Sequence, residues 1–256
     1  MHSAGKLWGV MLTPYEFAIV ESCVGCNIRP AHGFCDLPQS AVERLDQIKH
    51  AMTYPKGALL FVQGQPPRGM FVLCKGRVKL WMSSRDGKTL IARVADAGEV
   101  LGMGACITGR AYELTAETVE PSQITFVRRD DSLLFIREHS EACLRVSEML
   151  SEKYHSTCEI LTAALSYSAP EKLVKLLLEW TARDGQGDKP KPCLKLNFTN
   201  EELGQMIGSS RETVTRLVAE LRKRQIVQIK GSTLIIRDKA ALKSFGNIAG
   251  EDVASA

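Results

Sequence analysis

The apolar positions of this chain change their spacing along its length, and each change predicts a different kind of element. From Thr53 to about Phe126 they fall in short runs: Ala58–Val62, Met70–Cys74, Arg77–Met82, Thr89–Val94 and Gln123–Val127. Gly57, Gly64, Gly69, Gly76, Gly87 and Gly98 part them, and Arg85-Asp86-Gly87-Lys88 supplies an Asp-Gly hairpin turn. Short strands with turn chemistry at each break argue for a small β-barrel or roll. Before it, Val42, Leu45 and Ile48 share one face of a short helix over Ser40–Lys49.

Beyond the glycine-rich stretch, Leu133 to Ser166 holds neither Gly nor Pro. Cys143, Val146, Leu150, Thr157, Leu161 and Ala164 trace a 3-4 stripe there, interrupted by Lys153. A helix of about 30 residues spans roughly 45 Å at 1.5 Å per residue. That exceeds what one domain usually needs, so the stretch reads as a subunit-pairing helix, with a broken core helix as the alternative. Pro170 opens another helix with Leu173, Leu176, Leu177 and Trp180 on its apolar face, and Asp184 to Pro192 reads as a surface loop.

The next segment has the pattern of two short helices and a hairpin. Thr199-Asn-Glu-Glu202 matches a capping box ahead of Leu203, Met206 and Ile207, and Gly208 halts the helix. Ser209-Ser-Arg-Glu212 reads as a second capping box, opening a helix with Val214, Leu217, Val218 and Leu221 inward. Two helices joined by a short glycine turn make a helix-turn-helix. The second presents Arg211, Glu212, Thr215 and Arg216 from its first two turns, where a recognition helix enters the major groove. Arginine donates twice to guanine and glutamate accepts from cytosine. Ile226–Ile229 and Thr233–Ile236 flank Lys230-Gly231-Ser232 as a wing whose Lys230 reaches phosphate.

Charge supports that placement. Between Cys193 and Phe245 ten Lys/Arg face five Asp/Glu, so this segment carries +5 of a chain whose net charge is +4. A basic excess confined to one segment points to an anionic partner, nucleic acid first. At 256 residues, 45% hydrophobic and 24% charged, the chain fits one or two ordinary globular domains. No run reaches the roughly 18 apolar residues that span a bilayer. Leu7–Val20, interrupted by Thr13, Pro14 and Glu16, makes a poor secretion signal, so a cytoplasmic protein is expected. No G-x-S-x-G, P-loop or H-E-x-x-H motif occurs and the five His stand apart, which speaks against an enzyme. An interaction module without DNA binding is the remaining competitor.

The run Ile207-Gly-Ser-Ser-Arg-Glu-Thr-Val-Thr-Arg216, preceded by a roll and a long helix, resembles the CRP/FNR superfamily of bacterial transcription regulators over about residues 20–245. The resemblance implies an α+β fold and a homodimer that binds double-stranded DNA and meets RNA polymerase. Its expected parts are a cysteine-containing arm (1–40), a cyclic-nucleotide-binding-type β-roll (41–135), a dimerisation helix (136–168), a winged helix-turn-helix (169–245) and a flexible tail (246–256). Base reading carries over to Arg211, Glu212 and Arg216, with Ser209, Thr215 and Lys230 completing the expected interface. Arg211, just before the reading glutamate, resembles the cyclic-nucleotide branch with its TGTGA-like half-sites. The oxygen-sensing branch usually has an apolar residue there and TTGAT-type half-sites.

The eight cysteines lack the density of a disulfide scaffold, but Cys23, Cys26 and Cys35 read C-x2-C-x8-C. Placed before the roll, they resemble the ligands of the FNR-like branch, which senses oxygen or redox state through a [4Fe–4S] cluster. Soft thiolates suit iron–sulfur or zinc, and His32 could complete a zinc site; unliganded thiols are the plain alternative. Relatives that bind the cluster place a fourth cysteine just before the last roll strand, where this chain has Ser122, so Ser122, Cys106 and Cys74 are the candidates for that ligand. Cys143 and Cys158 read as small buried residues of the long helix. In the cyclic-nucleotide branch the ligand is held by a glutamate and an Arg-Ser pair. Here Glu99 and Arg110 are retained, but Met103 and Ala111 stand where the glutamate and serine are expected, so a cyclic-nucleotide-responsive or ligand-independent regulator is the alternative.

Overall fold

The computed structural model describes residues 22–26, 34–183, 192–195, 198–230 and 233–246; of Ala164 and Cys193–Lys195 only the backbone is described. The expected loop at Asp184–Pro192 (apart from Pro192), the wing tip Gly231-Ser232, His32, and the tail beyond Gly246 lie outside the described residues. The chain divides into two compact units, one ending at Tyr154 apart from the hairpin segment Arg85–Ile91, the other made of that segment and the chain from His155.

In the first unit, which takes in β5 only from Ala92, helix α1 (Gln39–Ile48) leads into strands β1 (Lys49–Tyr54), β2 (Leu59–Phe61), β3 (Gly69–Lys75), β4 (Val78–Ser83), β5 (Thr89–Ala95) and β6 (Val100–Leu101). Helix α2 (Met103–Thr108), strands β7 (Thr115–Thr118) and β8 (Ser122–Arg128) and helix α3 (Arg129–Glu138) follow. Two four-stranded sheets form, ordered β1-β8-β3-β6 and β2-β7-β4-β5, which is the expected roll. Strand periodicity sorts the side chains of its central strands. Phe71 and Leu73 of β3, with Ile124 and Phe126 of β8, pack with Leu80, Ala116 and Tyr112 inside the roll. Met70 and Val72, with Val127, face the other way and meet α1, α3 and the arm through Leu45, Phe135, Phe34 and Cys23.

Sequence periodicity missed β1, β6 and β7. β1 is an edge strand with three consecutive exposed positions, so no hydrophobic alternation marks it. The helix expected from Leu133 to Ser166 is corrected: α3 ends at Glu138, His139 is extended (φ −122°, ψ 101°), and α4 runs Ser140–Ser166. His139 serves both ends, its N–H closing on Phe135 O at 3.1 Å and its carbonyl accepting from Cys143 N–H at 3.1 Å. No glycine or proline announces this break. The 27 residues of α4 still span about 40 Å.

In the second unit, α5 (Ala169–Arg183), β9 (Cys193–Lys195), α6 (Asn200–Ile207), α7 (Arg211–Lys223), β10 (Val227–Lys230), β11 (Thr233–Ile236) and α8 (Lys239–Phe245) follow one another. Leu173, Leu177, Val214, Leu221, Leu234 and Leu242 are among the side chains of its single core. The wing is a three-stranded antiparallel sheet, β10-β11-β9, in register Lys230↔Thr233.

Candidate DNA interface and candidate thiol centre

The helix-turn-helix is built from its caps upward. Thr199 accepts from the Glu202 N–H at 3.2 Å while Glu202 accepts from the Thr199 N–H at 2.9 Å, so the first capping box forms as expected. Gly208 closes α6 in the left-handed region (φ 64°). The second cap is corrected by one residue. Ser210, not Ser209, caps α7, accepting from the Thr213 N–H at 3.2 Å. Ser209 instead spends its N–H on the Gly204 carbonyl at 2.8 Å, closing the turn. Gly204, which the sequence reading passed over, is where that turn presses on α6: a Cβ there would stand 2.8 Å from Ser209 O and 3.2 Å from the Ser210 carbonyl carbon.

With that register, Arg211, Glu212, Thr215 and Arg216 are all exposed on α7, opposite the buried Val214, Leu217, Val218 and Leu221. Glu212 is held below the usual carboxylate range by its own N–H, the Ser210 hydroxyl and the Arg211 cation at the positive end of the helix. The Thr215 hydroxyl donates to Arg211 O at 2.9 Å and accepts from Asn200 Nδ2 at 3.1 Å, so it ties the two helices together. Asn200 escaped the sequence reading because nothing in one sequence marks a contact across the turn. Arg222 and Lys223 are exposed, while Arg224 pairs with Glu220 at 2.7 Å and lies over the Phe245 ring. Lys230 is exposed at the end of β10.

In the first unit, Cys23 and Cys26 flank a tight turn, with the Cys26 N–H on Cys23 O at 3.4 Å. α1 holds this turn through Asp46, whose carboxylate accepts from the Cys23 N–H at 2.5 Å and the Ser22 hydroxyl at 3.2 Å. Lys49 Nζ pairs with the same carboxylate at 2.7 Å. Burial pushes the Cys23 thiol up to about 11, against the nearby Lys49 cation, with Asp46 and Cys74 adding to the rise. Cys35 packs against the hydrophobic cluster that buries Cys23. Among the described residues no three His, Cys, Asp or Glu side chains converge as one metal ion requires, so they contain no preformed tetrahedral zinc site.

The three candidates for a fourth ligand part company. Ser122 is fully buried and donates to Glu120 O at 2.8 Å. Cys106 is buried beside Ser132, Arg129 and Asp130 at the start of α3. Cys74 is half-buried, 3.3 Å from Thr125 Oγ1.

Glu99 bonds Arg93 and accepts from the Asp96 N–H at 2.9 Å, Met103 is buried in the core, and Arg110 is exposed beyond α2. Tyr112, also missed from sequence, fills the roll interior. Its ring stacks on Phe61 (centroids 4.2 Å apart), and its hydroxyl donates to Gly69 O at 2.8 Å and accepts from the Arg68 N–H at 3.2 Å.

On α4, Ala142 and Val146 are buried and Met149 packs beside them against the roll. Lys153 lies on that same face, donating to Val100 O at 3.0 Å, and not in the stripe it was expected to interrupt. The buried role expected for Cys143 and Cys158 is also corrected: both are exposed, together with Leu150, Tyr154 and Leu161.

A roll and a long helix, followed in the chain by a winged helix-turn-helix, define a class of DNA-binding transcription regulators, and the comparisons agree. Residues 51–139 match the cyclic nucleotide-binding domain family and residues 171–245 the Crp-like helix-turn-helix domain. The chain is 24% identical to the fumarate and nitrate reduction regulatory protein of Vibrio cholerae, over 90% of this chain and 92% of that protein. It is 22% identical to the CRP-like cAMP-activated global transcriptional regulator of Mycobacterium tuberculosis, over 82% and 93%. Among solved structures it matches FixK2 from Bradyrhizobium japonicum (TM-score 0.68, 18% identity, 82% of this chain and 100% of that one). It also matches CLP from Xanthomonas campestris (TM-score 0.70, 16% identity, 78% and 99%). The chain belongs to the CRP/FNR family of transcriptional regulators and is not an enzyme. No helix among the described residues is long and apolar enough to cross a membrane.

Proposed function

We propose that the protein is a homodimeric, sequence-specific regulator that reads DNA through α7 and senses oxygen or redox state through an iron–sulfur cluster on Cys23, Cys26 and Cys35. The observation that carries the DNA half is the joint exposure of Arg211, Glu212 and Arg216 on one face of a doubly capped helix-turn-helix. Arg211 favours GTGA-like half-sites over TTGAT-type ones, since a guanidinium near the groove floor satisfies both acceptors of one guanine. RNA polymerase is the further partner this reading implies.

For the sensor half, the donor chemistry fits: soft thiolates on a C-x2-C turn, beside the Lys49 cation, with Cys35 on the same core. Bound there, the cluster supplies a centre that oxygen or oxidants degrade. The chain's own residues do the rest. Asp46 fixes the turn, Lys49 offsets the charge of a thiolate, and the arm that carries the cysteines is tied to the roll by the Phe34 N–H on Gly98 O at 3.2 Å. Anaerobic purification followed by iron and sulfide analysis, with operator binding measured before and after air, tests both halves. Iron with sulfide and air-sensitive operator binding are expected. Zinc without sulfide would replace the cluster reading, and no selection of particular sequences over bulk DNA would overturn the regulator reading.

A further inference from the structure

We infer that Cys74, on the central strand of the roll, is the fourth thiolate of the cluster site formed by Cys23, Cys26 and Cys35, and that neither Ser122 nor Cys106 serves. This rests on the cluster reading above and goes beyond it.

The sheet decides which face each candidate presents. On β8, Ser122 shares its face with Ile124 and Phe126, which belong to the interior of the roll. A Cβ on Gly76 would lie 2.2 Å from Ser122 Oγ, so the hydroxyl is walled in by neighbouring backbone as well as bonded to Glu120 O. It faces away from the arm. Thr125 and Val127 lie on the opposite face of β8, and Val127 packs in the cluster that buries Cys23 and borders Cys35.

Cys74 belongs to that arm-facing side. Val72, two residues earlier on β3, is in the same cluster as Cys23, while Leu73 between them points into the roll. The ladder with β8 shifts register between Leu73 and Lys75, which leaves Cys74 as the bulged residue without a cross-strand partner. Bulges re-aim a side chain and loosen the local ladder. Here the thiol comes to rest 3.3 Å from Thr125 Oγ1. Its neighbours include Cys26 of the arm and Lys49 of β1. Cys74 lies near Cys23 as well. Lys49 thus lies near both Cys23 and Cys74, while the Cys106 thiol has Arg129 and Asp130 instead.

A cube hands each thiolate its own iron, so its four ligands stand further apart than the donors around a single ion. Ligands drawn from two elements, the arm and β3, suit such a group.

The test uses the full chain, purified without oxygen and supplied with ferrous iron and sulfide. Wild type is expected to bind about four irons and four sulfides per chain, with the sulfide-to-iron charge-transfer absorption. Cys74→Ala and Cys23→Ala should each lower bound iron and sulfide at least about tenfold, since even supporting residues of metal sites cost 10–100-fold in affinity. Cys106→Ala and Ser122→Ala should leave both unchanged. Adding Thr125→Cys to Cys74→Ala puts a thiol back on the same face and should restore most of the iron and the absorption band. If Cys74→Ala folds poorly by circular dichroism, Cys74→Ser, which keeps the bond to Thr125, is read the same way. Full iron and sulfide in a folded Cys74 variant overturns this assignment and leaves the cluster reading standing. A wild-type chain that takes up neither iron nor sulfide overturns both.

Discussion

Gly204 and Lys153 are single positions where the fold leaves little choice. At Gly204 the obstacle to any side chain is backbone, the Ser209 oxygen and the Ser210 carbonyl carbon, and that backbone also sets the cap of α7. Gly204→Ala should therefore cost about 1–3 kcal/mol, the usual range for overpacking, and weaken operator binding at the same time. Urea unfolding and a gel shift on the same sample would check it; unchanged stability would show that the turn yields to a methyl group. Lys153 makes a different demand. Burial, and then the Arg93 cation, hold its ammonium down to about 8 from 10.5, while Glu99 and Glu152 pull the other way. The folded chain thus gives up this proton before the unfolded chain does. The cost of burying the charge is fully present below about pH 8 and is relieved as pH rises from 8 towards 10.5. Between pH 7 and 9 the wild-type urea midpoint should climb more steeply than that of Lys153→Met. Equal slopes would show that Lys153 keeps its ordinary value.

At the scale of elements, α7 and the wing divide the labour of binding DNA. Arg211→Ala should relax preference at one guanine of each half-site by about 1–3 kcal/mol. Lys230→Ala should weaken all sequences alike and reduce the salt slope by about one. Selection of sites from random DNA with each variant reads the difference, and enrichment of TTGAT half-sites by wild type would place Arg211 on phosphate. These elements were legible beforehand because their signals are local: a capping box at Thr199, a glycine stop at Gly208, apolar spacing from Val214 to Leu221. The strands from Met70 to Val94 were legible for the same reason, through glycine breaks and the Asp86-Gly87 turn. Features that depend on what arrives from elsewhere were not. His139 breaks a helix without any breaker residue, β1 sits at a sheet edge with mostly exposed side chains, and the Ser210 cap differs from the Ser209 alternative by one residue of equal chemistry. The thiol centre shows the same division. The C-x2-C turn announced itself, but only strand pairing and a bulge reveal that Cys74 shares a face with the arm while Ser122 does not.

For the whole molecule, α4 offers two faces with different fates. Ala142, Val146, Met149 and Lys153 recur at helical spacing against the roll. About a quarter-turn or more away, Cys143, Leu150, Tyr154, Leu161 and Leu165 recur at alternating seven- and four-residue steps, and they are exposed: Tyr154 at 68%, Leu161 at 60% and Leu165 at 90%. Such a stripe is the seam of a helix pair, where each apolar side chain inserts between residues of the facing helix. A dimer built on it carries two copies of α7, one for each half-site of a two-fold operator whose half-sites lie one helical turn, or about 34–36 Å, apart. Losing the pairing then removes an intramolecular second contact that is worth about 10²–10⁴ in affinity. Leu161→Arg tests this cleanly, because Leu161 is mostly exposed in the single chain and its replacement should shift monomer stability by no more than about 0.5 kcal/mol. The variant should sediment as a monomer at micromolar concentration and bind a two-fold symmetric operator at least about 100-fold more weakly than wild type, while still unfolding cooperatively. A Leu161→Arg protein that still sediments as a dimer would move the interface off this stripe. A wild-type chain that is monomeric both with and without operator would remove the dimer altogether.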